Sequence, residues 1–330
     1  PGSVQSVVLA RVDRLPELDK QALLFASVLG QRFAMDDLCH LIGVTDYTCA
    51  VLMTHHLVRP EGQDFLFCHA LIQEGVYASL LKTRRRELHS RAAAWFEGKD
   101  AILRVEHLDR AEDPEAVQAY LDAALLQATT FRYDRALRLV ERGLELAVDP
   151  DDIFALTCEL GRICHELGSM PESITAYRRA IEAAGHDEQR CRALIGLAAG
   201  MRVVDNYEGA LWALQQAEDL ALKEGLVLEH AQLCHLRGNI YFPLGNIEGC
   251  LQEHERARAF AQQVGSHEYE ARALGGLGDA HYLRGRMHTA FEYYRRCVEI
   301  SRQQGYTNIE VSHLTLLGWI SVDLMNSSDP

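Results

Sequence analysis

Apolar residues along most of this chain recur at spacings of three and four, the period of a helix with one buried face. Between residues 238 and 278 the pattern reads as a helix end, a tight turn at Leu244-Gly245-Asn246, a second helix, a stop at Gly265 and the next helix start. The same layout recurs in both directions. A small residue stands at Ala124, Gly161, Ala198, Gly238, Gly278 and Gly318, and a second follows in register at Ala136, Ser173, Ala210, Cys250 and Ala290, with steps of 37 to 40 residues. Steps of that length belong to arrays of helical hairpins. Small residues at both places let the two helices of a hairpin cross closely, where larger side chains would hold the backbones apart. The spacing predicts helix pairs over 114–147, 151–184, 187–223, 227–263 and 267–304, then a last helix over 308–324.

Around residues 57–68 the period falls to two, with Leu57-Val58-Arg59-Pro60 and Phe65-Leu66-Phe67-Cys68 flanking a turn at Glu61-Gly62-Gln63-Asp64. Short helices are expected before this hairpin at 3–12, 17–29, 35–42 and 46–56, and after it at 70–81 and 84–96. The expected organisation is a winged-helix-like domain over 1–97, a bridging helix within 98–113 and a repeat array over 114–330. The fold class is all-α, a helical-hairpin superhelix preceded by a small winged-helix-like domain with one β-hairpin.

Large residues flank the crossing points. Leu160, Leu197, Leu277 and Leu317 precede the first small position; Tyr177, Leu214 and Tyr294 lie one turn after the second, and Ala180, Ala217 and Ala257 a turn later. These residues resemble the tetratricopeptide repeat, in a form of about 40 residues like that of bacterial signalling ATPases and animal polarity adaptors. Arg237 in place of Leu, Cys250 and Cys297 in place of Ala, and His254 at an aromatic position depart from the pattern.

The first hundred residues resemble the winged-helix portion of bacterial signal-transduction ATPases with numerous domains, often fused to a cyclase or kinase effector. The likeness rests on Ser3-Val4-Gln5, Leu9-Ala10-Arg11-Val12-Asp13-Arg14-Leu15-Pro16, Phe67-Cys68-His69-Ala70-Leu71-Ile72, Tyr77, Leu80-Leu81, Arg84-Arg85-Arg86 and Leu88-His89. It implies that His69, directly after the last wing strand, touches the phosphates of ADP held by an upstream nucleotide domain. Ala70 stands where some members have Asp. The other reading of His69 is a bond to a local carbonyl.

Composition narrows the function. With 33 Lys and Arg against 47 Asp and Glu the formal charge is -14, which disfavours nucleic acid and anionic membranes. The expected recognition helix of a DNA-binding winged helix, 46–56, contains no Lys or Arg. The basic run Lys82-Thr83-Arg84-Arg85-Arg86 reads as a solvated helix face or an intramolecular contact. No apolar run reaches the ~20 residues of a membrane span, and no signal peptide is visible. The chain begins without Met and reads as a segment of a longer protein. Nine cysteines, an odd number without Cys-x-x-Cys spacing, point to reduced thiols and a cytoplasmic setting. Four stand directly before His, at Cys39, Cys68, Cys164 and Cys234, but neighbouring residues on a helix point apart, so no metal site is expected. No phosphate-binding Gly-rich loop with Lys, nucleophile elbow or zincin motif occurs, so neither a catalytic residue nor a cofactor is expected in this segment.

What remains is a binding surface. In a stack of hairpins the first helix of each pair lines the concave side. Counting one and four places after each first small residue, and three and six before it, gives Cys158, Arg162, His165, Arg192, Ile195, Arg202, Gln232, His235, Asn239, Phe242, Arg272, Asp279, Tyr282, Thr315 and Trp319. Arg162, Arg192, Arg202 and Arg272 suit an acidic peptide or protein segment, with Phe242, Tyr282 and Trp319 as anchors. Pairing of those arginines with neighbouring Glu residues or helix ends is the other reading. The apolar last helix suggests either a cut inside a longer array or self-association. Two functions fit: a sensor that relays ligand binding to an upstream nucleotide switch, and a constitutive scaffold without a switch.

Overall fold

A computed structural model describes residues 10–326, with side chains as far as Val322. Contacts divide the chain after Leu146 into two compact units. In the first, α1 (Glu17–Leu29), β1 (Arg32–Ala34), α2 (Met35–Ile42), α3 (Ala50–Thr54), β2 (Val58–Glu61), β3 (Asp64–Phe67), α4 (Ala70–Ser79) and α5 (Lys82–Phe96) follow in order. The expected hairpin forms in register, Val58 opposite Phe67 and Glu61 opposite Asp64, with Gly62 at φ 66° in the two-residue turn. A third strand was not expected: β1 pairs antiparallel with β3, giving the order β1-β3-β2. Three residues are too few for alternation to register, and the strand is anchored by Phe33, whose ring packs on Phe65 and Phe67. The helix expected over 46–56 shrinks to α3, because the buried Tyr47 hydroxyl donates to Asp19 of α1 at 2.9 Å and ties this segment across the domain. The helix expected over 3–12 lies outside the described residues except for 10–12, which are helical. Leu23, Leu38, Leu41, Leu52, Leu57, Phe67 and Val76 fill one core.

Three more helices complete this unit: α6 (Ala101–Arg110), α7 (Ala116–Thr129) and α8 (Tyr133–Leu146). Asp100 caps α6 by accepting from the N–H groups of Ile102 and Leu103. The basic run makes intramolecular contacts: Lys82 pairs with Glu112 at 2.6 Å, Arg84 with Glu87, and Arg86 Nε donates to the Ala111 carbonyl at the end of α6. Between α5 and α6 the Nδ1 atoms of the buried His89 and His107 lie 2.8 Å apart, one neutral ring donating to the other, and the Tyr77 hydroxyl reaches His89 Nε2 at 2.9 Å.

The second unit is a superhelical stack of α9 (Pro150–Glu166), α10 (Met170–Ala183), α11 (Asp187–Val203), α12 (Tyr207–Glu224), α13 (Val227–Tyr241), α14 (Ile247–Val264), α15 (His267–Leu283), α16 (Met287–Gln304) and α17 (Thr307–Asn326). Every boundary lies within two residues of the expected helix pairs. The turn inside each hairpin uses a left-handed residue, Gly168, Asp205, Gly245 and Gly285 here and Phe131 between α7 and α8 of the first unit, at steps of 37 to 40 residues and all with φ between 58° and 78°.

Where helices cross, the two small registers meet: Ser173 Oγ donates to the Gly161 carbonyl at 2.8 Å. The aromatic residue one turn later fills a slot between two glycines. A β-carbon on Gly161 would lie 2.7 Å from the Tyr177 ring, and one on Gly196, in the next hairpin, closer still. His254 occupies the equivalent slot between Gly238 and Gly276, and Tyr294 lies against Gly278. The residues that depart from the repeat pattern are therefore accommodated by their surroundings. Arg237 is buried and pairs with Glu218 of α12 at 2.8 Å and Glu253 of α14 at 3.5 Å, and Arg256 bonds the same two carboxylates.

Two predictions follow from this packing. Gly196→Ala drives a methyl into a ring that Gly161 blocks on its other side, so a net loss of ~1–2 kcal/mol is expected in urea unfolding, the overpacking cost exceeding the helix-propensity gain. Gly318→Ala, whose β-carbon would meet nothing within 4 Å, should instead stabilise slightly. Equal effects of the two changes would refute the slot argument. The second prediction concerns acid. Burial lowers the pKa of His89 to about 3 and those of His107 and His254 to about 4, whereas unfolded histidines protonate near ~6.5. Between those values the unfolded chain binds more protons, so stability should fall as pH drops from ~6.5 toward 4. His254→Phe, which fills the slot without titrating, should flatten that slope in urea midpoints measured at several pH values; an unchanged slope would count against it.

Candidate functional site

The inner wall of the second unit is built by the first helices of successive hairpins, α9, α11, α13, α15 and α17. Asp149, ahead of Pro150, accepts from the Asp151 N–H at 2.8 Å and so fixes where α9 begins. From there helical spacing alone decides which side chains face inward.

A cavity of about 310 Å³ is lined by Arg162, His165, Tyr177, Ile195, Arg202, Gln232, His235, Asn239, Tyr269 and Arg272, together with Glu166, Leu236 and the small Gly196 and Ala199. A neighbouring cavity of about 230 Å³ shares His235, Asn239 and Arg272 and adds Asp279, Asn308, Ile309, Ser312 and His313. Of the residues predicted from spacing, Arg162, His165, Ile195, Arg202, Gln232, His235, Asn239, Arg272 and Asp279 thus converge on one continuous groove. Arg192 lines neither cavity, because Glu229 at 2.8 Å and Glu188 at 2.6 Å hold it. Phe242, Tyr282 and Trp319 line neither cavity either. Phe242 is half-buried at the end of α13, Tyr282 lies near the end of α15, and Trp319 is 70% exposed on α17. The aromatic rings in the groove are those of Tyr177 and Tyr269. Tyr269 lies outside the counted positions; Ser312, six places before Gly318, satisfies the counting rule.

Pairing tempers the positive charge. Glu159 holds Arg162 from one turn earlier, its two oxygens taking the Nε and Nη2 hydrogens, and Glu268 holds Arg272 through one oxygen, Oε1, which accepts from Nε at 3.0 Å and Nη2 at 2.9 Å. The Arg202 Nε, in contrast, is buried without a hydrogen-bond partner among the described residues, as are His165 Nε2 and His235 Nδ1. His235 also approaches Asn239 Nδ2 through Nε2 at 3.0 Å. Burial, with His254, Arg272, Arg202 and His313 nearby, holds the His235 pKa well below the ordinary value, and burial lowers that of His165. Both rings are neutral at pH 7 and offer one donor and one acceptor each. Burial raises the Asp279 pKa despite the hydrogen bond it accepts from the Tyr294 hydroxyl at 2.6 Å. The groove therefore joins guanidiniums, neutral imidazoles and an amide, a set suited to gripping carboxylates and backbone carbonyls.

Elsewhere, His69 is exposed at the start of α4 with extended backbone, φ −145°. All nine cysteines are free thiols; burial pushes Cys49, Cys158, Cys191, Cys234 and Cys297 up to about 12, out of the nucleophilic range at neutral pH. No helix among the described residues is long and apolar enough to cross a membrane.

The tetratricopeptide repeat pattern matches residues 230–303 and, in a second form, 157–187. No curated protein sequence is similar enough to match the chain. Among solved structures it is similar to a signal transduction ATPase with numerous domains that carries a tetratricopeptide repeat sensor, from Pyrococcus horikoshii, at 17% identity and TM-score 0.62, over 95% of this chain and 48% of that one. This chain thus spans about half the length of that protein. The apo form of RapI is similar at 14% identity and TM-score 0.52, over 62% of this chain and 77% of its own. At such identities the likenesses establish the fold alone. Residues 157–187 and 230–303 are tetratricopeptide repeats, and the other helices of the second unit continue the same stack.

Proposed function

We propose that this chain is a protein-interaction and sensor module that holds an acidic peptide or protein segment in the groove of its second unit. The observation that carries this is the convergence of Arg162, Arg202 and Arg272 with His165, His235 and Asn239 on one cavity in a chain of net charge -14. Arg202 supplies an unpartnered donor, while Arg162 and Arg272 are held in place by their own carboxylates, oriented before any ligand arrives.

We further propose that the first unit begins as a winged helix that restrains an upstream nucleotide switch. The order α1-β1-α2-α3-β2-β3 with the sheet order β1-β3-β2 supports this reading, and the exposed His69 directly after β3 is the residue that would meet a nucleotide phosphate. Ligand binding to the groove would then shift the switch by favouring one of its two states. In this reading the segment performs no catalysis and binds no cofactor of its own, nucleic acid and membranes are not partners, and the protein works in the cytoplasm. The exposed side chains Val311, Leu314, Trp319 and Val322 of α17 are where self-association would occur.

The test is fluorescence-polarisation binding of acidic, neutral and basic peptide pools to wild type and to the Arg202→Glu, Arg272→Glu double variant. Acidic peptides should bind, weaken roughly tenfold or more on charge reversal, and weaken with salt. Equal capture of all three pools, or indifference to the reversal, would sink the groove reading. The relay is checked in the full-length protein: a bound peptide should change the rate of ADP release, and an unchanged rate would leave a scaffold without a switch.

A further inference from the structure

The first unit holds a cavity of about 360 Å³ that the groove does not include, lined by Ile102 and Glu106 of α6, Tyr120 of α7, and Arg135, Arg138, Leu139 and Arg142 of α8. The three arginines are spaced three and four residues apart, so they form one stripe on α8. They differ in their partners. Arg142 donates to both oxygens of Asp109, at 2.8 and 3.1 Å, and to Glu145 at 2.6 Å; Asp109 also accepts from the Tyr120 hydroxyl. Arg135 and Arg138 make no ion pair and no side-chain hydrogen bond with any described residue, and both are exposed. Their like charges lie one turn apart on a chain with 47 acidic residues against 33 basic ones. The carboxylate facing them is that of Glu106, which lies 4.0 Å from Arg110. Beside the two guanidiniums, Ile102, Tyr120 and Leu139 give the cavity an apolar side.

Two unpartnered guanidiniums match an anion of charge near −2, and a phosphomonoester carries about −1.5 to −2 at pH 7 with three acceptor oxygens. The volume falls in the range of small-molecule pockets, from about 300 Å³ upward. We propose that this cavity is a second ligand site, which takes a phosphomonoester on an aromatic or aliphatic body. Arg135 and Arg138 grip the phosphate, Arg142 is fixed by Asp109 and Glu145 and closes the end of the stripe, and Ile102, Tyr120 and Leu139 receive the body. Glu106 opposes the charge and tunes the affinity downward. The source of that chemistry is either a free organic phosphate or a phosphorylated tyrosine on a partner chain. The site does not depend on the groove of the second unit.

The experiment is calorimetric titration of the whole chain with phenyl phosphate, inorganic phosphate and a short phosphotyrosine peptide. Phenyl phosphate should bind saturably and about tenfold or more tighter than inorganic phosphate, because only it fills the apolar side. Arg135→Gln with Arg138→Gln should weaken it about tenfold or more, circular dichroism confirming that these exposed changes leave the helices intact. Glu106→Gln should tighten it a few-fold by removing the opposing charge. A peptide tighter than phenyl phosphate identifies a partner chain as the source, and a peptide equal or weaker identifies a free small molecule. No saturable phenyl phosphate binding at millimolar concentration, binding unchanged in the double arginine variant, or inorganic phosphate binding as tightly overturns the proposal.

Discussion

A ring held between two glycines is the contact on which the repeat unit depends. Tyr177 touches Gly161 of its own hairpin and Gly196 of the next, so one side chain fixes both the crossing inside a hairpin and the stacking between hairpins. Missing β-carbons bring the helix backbones close enough for the ring to contact both. Once that approach is set, the direction of every other side chain on the first helices follows from helical spacing. Arg202, His235, Asn239 and Arg272 converge on the groove for that reason, with no loop to position them.

The joint formed by α12, α13 and α14 solves the same problem with polar groups. His254 replaces the tyrosine, and Arg237 stands where leucine is usual, sharing Glu218 and Glu253 with Arg256. A buried ion pair contributes little net stability, because desolvation opposes the attraction, but removing one partner strands the others. These residues therefore constrain one another: a return to the apolar pattern at Arg237 alone would leave two carboxylates with Arg256 as their shared cation.

Much of this architecture was legible in the sequence because a repeat presents the same signal several times. Small residues 37 to 40 apart located each helix pair to within two residues, and nine of the side chains reached by the same count line the groove. What spacing could not reveal is pairing. Arg192 satisfies the count as well as Arg202 does, yet Glu229, 37 residues away, holds it. The counted aromatics line neither cavity, since Phe242 and Tyr282 sit where their helices end and Trp319 lies past the turns of α17 that close the second cavity. Strand β1 was too short to show a period. The arginine stripe of α8 has a plain helical spacing, but its interest lies in which members lack a carboxylate, and that is a property of the folded chain.

The polar joint also makes the stack respond unevenly to its surroundings. Hydration of ions becomes less favourable on heating, so the penalty for burying Arg237 and its carboxylates shrinks, while apolar contacts gain no comparable advantage. Warmth therefore favours this seam relative to its tyrosine-locked neighbours, and acid, by charging the His254 ring, disfavours it. The second unit thus carries a joint of different temper, whose hold varies with temperature and pH more than that of its tyrosine-locked neighbours.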